Sequence, residues 1–91
     1  MASNKISKEM IDKLYELLAS INNPNDLKEL LSDLCTEREV EQMAQRIAAA
    51  KLLIEGNTYN KVIEKTDISS ATLSRVARCV QYGSGYKKFR K

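Results

Sequence analysis

Arg75 and Arg78 stand close together in the run Thr58–Tyr82, TYNKVIEKTDISSATLSRVARCVQY, with Ser70, Ala71, Thr72 and Ser74 just ahead of them. A guanidinium offers a planar fork of donors that grips guanine bidentately or holds a phosphate, and small residues near a helix start let the backbone approach the floor of a groove. That chemistry needs these side chains on one face of a helix. Leu73, Val76, Ala77 and Val80 fall at i, i+3, i+4 and i+7 and form an apolar stripe, which leaves Ala71, Ser74, Arg75, Arg78 and Gln81 on the opposite face. A shorter helix ahead of it carries Val62 and Ile63 inward. The turn Lys65-Thr66-Asp67-Ile68 joins the two, with Ser69 or Ser70 placed to cap the second helix. Two helices joined by so short a turn cross steeply, which is the outline of a DNA-reading helix-turn-helix. In this reading Ser70, Ala71 and Ser74 face base edges, while Thr72, Arg75, Arg78 and Lys61 serve the phosphate backbone or flanking bases. The same outline also fits a plain helical bundle whose outer face is simply solvated.

The charge distribution favours nucleic acid. The 91-residue chain has a net charge of +3, but residues 1–56 hold 7 Lys+Arg against 10 Asp+Glu, giving −3, and residues 57–91 hold 8 against 2, giving +6. The excess lies on the two short helices and on the tail Lys87-Lys88-Phe89-Arg90-Lys91, where phosphate attraction and counterion release reward it. Tyr86 and Phe89 interleave with that tail. It reads either as a minor-groove or phosphate-gripping arm, or as a segment whose Tyr82 and Tyr86 fold back over the core ahead of basic terminal residues.

Other chemistries lack their parts. There is no histidine, and Cys35 and Cys79 are far apart with no CxxC, so neither a structural zinc site nor a Cys-His nucleophile can be assembled. The two cysteines read as ordinary, partly buried thiols. The acidic residues are interleaved with lysine on helix faces, a solvation pattern, so no enzyme is expected. No run approaches the roughly 20 apolar residues of a membrane span, and the stretch MASNKISKEM lacks the apolar core of a secretory signal, which makes the cytoplasm the expected location.

Upstream, Met10, Ile11, Leu14, Leu17, Leu18 and Ile21 mark an amphipathic helix from Ser7 to about Ser20, ended by Asn22-Asn23-Pro24-Asn25. A short helix from Asp26 to Leu34 follows, with Asn25 as its cap. Thr36, spaced Thr-x-x-Glu to Glu39, forms a capping box that opens a long helix from Glu37 to Glu55, and Gly56 stops it. After Gln45 that helix is apolar nearly all round, so it should be buried nearly all round. A chain this short can scarcely surround it, and a second copy related by two-fold symmetry is expected to cover part of it. Such a dimer would present two recognition helices to successive major grooves, about 34 Å apart. The expected organisation is one compact all-α domain: a dimerisation core over residues 1–56, a helix-turn-helix over 57–82 and a basic tail over 83–91.

Taken together, LCTEREVEQMAQRIAAAKLLIEGNTYNKVIEKTDISSATLSRVARCVQYGSGY resembles the Trp repressor superfamily, and ISSATLSRVARCVQYGSGY is most similar to its YerC/YecD-type branch. The likeness spans residues 30–86 or so and is most specific at Thr36 to Arg46, at Gly56 and at Ala71-Thr72-x-Ser74-Arg75. It implies a Trp repressor-like, intertwined homodimer acting as a transcriptional repressor. Family members can read operators through water and DNA shape, which suits short Ser and Ala side chains.

In the tryptophan-responsive members the corepressor's indole lies between two arginines, and Arg46 and Arg75 match those positions. Thr36 matches a pocket-lining position and is equally a helix cap. Two departures weigh against tryptophan. Val76 stands where that pattern has a space-giving glycine, and Cys79 stands where it has a serine that receives the ligand's amino group, a much weaker hydrogen-bonding partner. The resulting expectation is a sequence-specific DNA-binding regulator that is homodimeric and needs no known cofactor. It does not use tryptophan, and any other corepressor is unidentified. The alternative is a small helical protein-interaction module.

Overall fold

The computed structural model describes residues 3–89, with side-chain surroundings from Ser7 onward; Met1 and Ala2 of the N-terminal stretch and Arg90 and Lys91 of the basic tail lie outside the described residues. The described chain is all-α, with six helices: α1 Ser3–Ser20, α2 Pro24–Leu34, α3 Glu37–Ile54, α4 Tyr59–Thr66, α5 Ser70–Tyr82 and α6 Gly85–Lys88. None of these helices is long and apolar enough to cross a membrane. They fall into two compact units divided between Thr36 and Glu37, so that α3 belongs with α4, α5 and α6.

The first unit holds α1 and α2. α1 begins at Ser3 rather than near Ser7, because nothing in Ser3-Asn4-Lys5-Ile6 breaks a helix. α2 likewise starts earlier than its hydrophobic spacing suggests. Asn23, not Asn25, is its cap: the Asn23 Oδ1 accepts from the N–H groups of Asn25 at 2.8 Å and Asp26 at 3.3 Å. Pro24 occupies the first turn, where its fixed φ suits a helix and its missing N–H costs nothing. No residue of α2 is buried, and in the single chain Met10, Ile11, Leu14, Tyr15 and Leu17 of α1 are all exposed.

The second unit contains every buried residue among those described: Ala49, Ala50, Val62, Ile68, Leu73 and Val76. α3 supplies the two alanines, and their small side chains let α4 and α5 pack close against it. Ile47, on another face of α3, is 62% exposed in the single chain, so the nearly all-apolar second half of this helix is only partly covered. α3 ends one residue earlier than expected, at Ile54, in a Schellman arrangement. The Gly56 N–H donates to the Leu53 carbonyl oxygen at 3.0 Å and the Asn57 N–H to that of Leu52 at 3.1 Å. Gly56 sits at φ +97°, a region that side chains resist, so glycine is required here for its backbone.

Candidate nucleic-acid interface and the cavity beside it

Thr58 opens α4 by accepting the Lys61 N–H on its hydroxyl at 3.2 Å. The helix runs through Lys65 and Thr66, two residues further than the turn expected from the sequence allows. Thr66 stays helical because its hydroxyl donates back to the Val62 carbonyl oxygen at 2.7 Å, and the reversal falls on Asp67, which takes the left-handed conformation at φ 60°. Asp is among the few non-glycine residues that visit this region readily. The connection to α5 is then Asp67-Ile68-Ser69, with Ile68 buried beneath it. Of the two candidate caps, Ser69 is the one used. Its Oγ accepts the Thr72 N–H at 3.2 Å, and its hydroxyl donates to the Thr72 Oγ1 at 3.0 Å.

α5 presents three faces. Leu73 and Val76 are buried, with Ala77 and Val80 half-buried beside them, as the apolar stripe requires. Ser70, Ala71, Ser74 and Arg78 are exposed. Between these faces Thr72, Arg75, Val76 and Cys79, again spaced i, i+3, i+4 and i+7, line a cavity of about 860 Å³. Thr72 is half-buried, its Oγ1 accepting from the Ser69 hydroxyl, whereas Arg75 is exposed and lies where the outer face meets the cavity rim. Lys61 is exposed on α4, 3.8 Å from Glu64 in a solvated pair that is weak enough to exchange for another anion.

The opposite wall of the cavity is the polar edge of α3: Arg38, Glu41, Gln42, Gln45 and Arg46. Four of the five candidate pocket residues, Arg46, Arg75, Val76 and Cys79, therefore meet at one cavity. Thr36 is not among its lining residues and belongs to the first unit. Cys79 is exposed, not partly buried, because its place on α5 turns it toward this open space; Cys35 is half-buried.

Several cavity residues escaped the sequence reading. Gln45 bridges α3 to the end of α4, its Nε2 donating to the Thr66 carbonyl oxygen at 2.9 Å. Arg38, Glu41, Gln42 and Gln45 also follow i, i+3, i+4, i+7 spacing, a polar stripe that could have been found beside the apolar one. Tyr86 completes the lining, half-buried and packed on the core cluster, so of the two tyrosines expected to fold back only this one does. Tyr82 is 77% exposed.

This architecture has known counterparts. The Trp repressor protein family model matches residues 9–89, and the chain belongs to that family. Within it the relationship is to the YerC-type branch: the chain is 38% identical over 84 residues to the uncharacterized protein YerC of Bacillus subtilis (strain 168), covering 92% of this chain and 81% of YerC. A crystal structure of a putative Trp repressor from Staphylococcus aureus superposes with a TM-score of 0.86 at 30% identity, covering 97% of this chain and 89% of that one. A TrpR-like protein from Eubacterium eligens ATCC 27750 superposes equally well, with a TM-score of 0.86 at 35% identity over 93% of this chain and 89% of its own.

Proposed function

We propose that this protein is a homodimeric, sequence-specific DNA-binding regulator of transcription, acting as a repressor without L-tryptophan as corepressor. The observation that carries the DNA reading is the outer face of α5. Ser70, Ala71, Ser74, Arg75 and Arg78 are all exposed there, and neither guanidinium has an ion pair or hydrogen bond among the described residues. An arginine held on a rigid helix with no intramolecular partner is available for phosphate or a base edge. α4 and α5 thus serve as the helix-turn-helix, with the short residues near the start of α5 in the major groove and Thr72 bracing that start through Ser69.

Membership of a regulator family supports the same reading. Dimerisation is supported by the apolar surface that the single chain leaves open on α1 and at Ile47. The argument against tryptophan rests on Val76, a buried residue at the cavity wall where the tryptophan-binding pattern has a glycine, and on Cys79, a poor partner for an ammonium. Arg46 lines the same cavity without an ion pair among the described residues, so an anionic ligand of another kind has a place to bind.

The test is to incubate the purified protein, with no ligand added, with sheared DNA from its source genome at physiological salt and to sequence the retained fragments. A shared inverted repeat is expected, with an affinity that falls steeply as salt rises. Arg78→Ala should then weaken binding to all fragments alike, as loss of a phosphate contact does. Uniform recovery, or a shallow salt dependence, would favour an interaction module built on the apolar surface of α1. Calorimetric titration showing micromolar L-tryptophan binding would overturn the corepressor argument.

A further inference from the structure

Beyond α5 the chain doubles back on itself. Gly83 closes the helix, its N–H donating to the Cys79 carbonyl oxygen at 2.8 Å. A Cβ at this residue would lie 2.7 Å from that same oxygen, a backbone atom that cannot step aside cheaply, so the reversal as built requires glycine. α6 follows at once, and the Lys87 ammonium returns to donate to the Gln81 carbonyl oxygen at 3.2 Å. The consequence is the placement of Tyr86. Its ring packs on the core cluster, in a helix that touches both α3 and α5.

Two cavities flank this ring. One is the polar cavity between α3 and α5. The other, about 770 Å³, is apolar and lined by Ile47, Ala50, Ile54 and Phe89 among others. Tyr86 and Cys79 line both and so form the partition between them. α5 is therefore held by two sets of contacts. Along its inner face Leu73 and Val76 are buried in the core with Val80 packed beside them, and from α6 the ring of Tyr86 adds a brace toward its far end. On the side of α5 that faces the polar cavity, open space offers no packing resistance to a swing of the helix. The Tyr86 phenol has no hydrogen bond among the described residues, so what it contributes is the area and shape of its ring.

We propose that Tyr86 is a positioning residue for α5: an aromatic strut, supplied by the chain itself, that fixes the attitude of α5 against α3 with no small molecule bound. Its effect on DNA binding rests on the function proposed above, whereas its effect on the mobility of α5 does not. The full chain is therefore examined by two readouts, amide hydrogen exchange across α5 and affinity for a retained DNA fragment. Both are measured for the unmodified protein, Tyr86→Phe, Tyr86→Ala, and Tyr86→Ala with 4-methylphenol, the detached tyrosine side chain.

Tyr86→Phe should match the unmodified protein in both readouts. Tyr86→Ala should exchange the amides of the second half of α5 about tenfold faster and bind DNA about tenfold more weakly, because local opening is what the ring opposes. Millimolar 4-methylphenol should restore both, as an apolar molecule refills an apolar space left by truncation. Unchanged exchange in Tyr86→Ala would overturn the proposal. So would equal loss in Tyr86→Phe, or a loss that 4-methylphenol does not reverse. Should Tyr86→Ala fail to fold, Tyr86→Leu carries the same test: faster exchange in α5 supports the strut and unchanged exchange overturns it. A protein that binds no DNA at all would remove the function proposed above, while the exchange measurements would still decide the strut.

Discussion

The two units of this chain are built of similar material and finished differently. α1 and α2 are amphipathic helices with well-spaced leucines, yet neither contains a buried residue among those whose side chains are described. α3, α4 and α5 have a less apolar appearance in sequence and nevertheless seal a small core, with Ala49, Val62 and Leu73 fully shielded from water. The second unit has a core of its own. The first presents a surface whose burial has to come from elsewhere, and a second copy of the chain is the partner proposed here.

That contrast can be broken most forcefully at Leu73. Replacing it by Ala opens a hole in a core with little else to close over it, and should lower stability by about 2–5 kcal/mol in a denaturant titration, by a similar amount at low and high protein concentration. Leu17→Asp in α1 tests the other unit. Because Leu17 is 49% exposed in the single chain, a charge there should cost the isolated fold little, but it should shift the sedimenting species from twice the 10.3 kDa chain mass to the chain mass itself. An unmodified protein that already sediments as a monomer would remove the dimer from the functional reading.

The smallest effect sharpens the comparison at the helix caps. Ser69→Ala removes the oxygen that holds the Thr72 N–H and should cost about 1 kcal/mol, with faster amide exchange at the start of α5. Asn23→Ala removes an equivalent cap from α2. Its cost, of about the same size, should depend on protein concentration if the first unit is stabilised by association.

Much of this was legible in the sequence because it depends on local rules. The stripe Leu73, Val76, Ala77 and Val80 sits inward as its spacing demands, and Gly56 occupies the one backbone state that made it a stop signal. The meeting of Arg46 with Arg75 was legible only through the family resemblance, since nothing local to α3 says which helix it will face. What stayed hidden was of two kinds. Cap choice at Asn23 and the exact turn after Thr66 were hidden because neighbouring Asn, Ser and Thr residues compete for the same amides, and a single proline or a left-handed Asp67 decides between them. The folding back of Tyr86 was one of two readings of the tail, but its place at the cavity was hidden because α6 has only the residues Gly85–Lys88, too short for any periodicity, and that place follows from how Gly83 turns the chain.

The buried alanine pair in the second half of α3 sets the spacing at which α5 packs against it. An alanine at a helix crossing is a spacer of nearly minimum thickness, and a bulkier residue at position 49 or 50 would push α5 outward. In the two-fold dimer proposed here both copies of α5 would move in opposite senses, so the gap between them would open by twice the local displacement. Operators read by such a dimer have half-sites at a fixed pitch of about 34 Å. Two methyl groups buried in the core would then act as the gauge that keeps a distant pair of helices in step with the turn of the duplex.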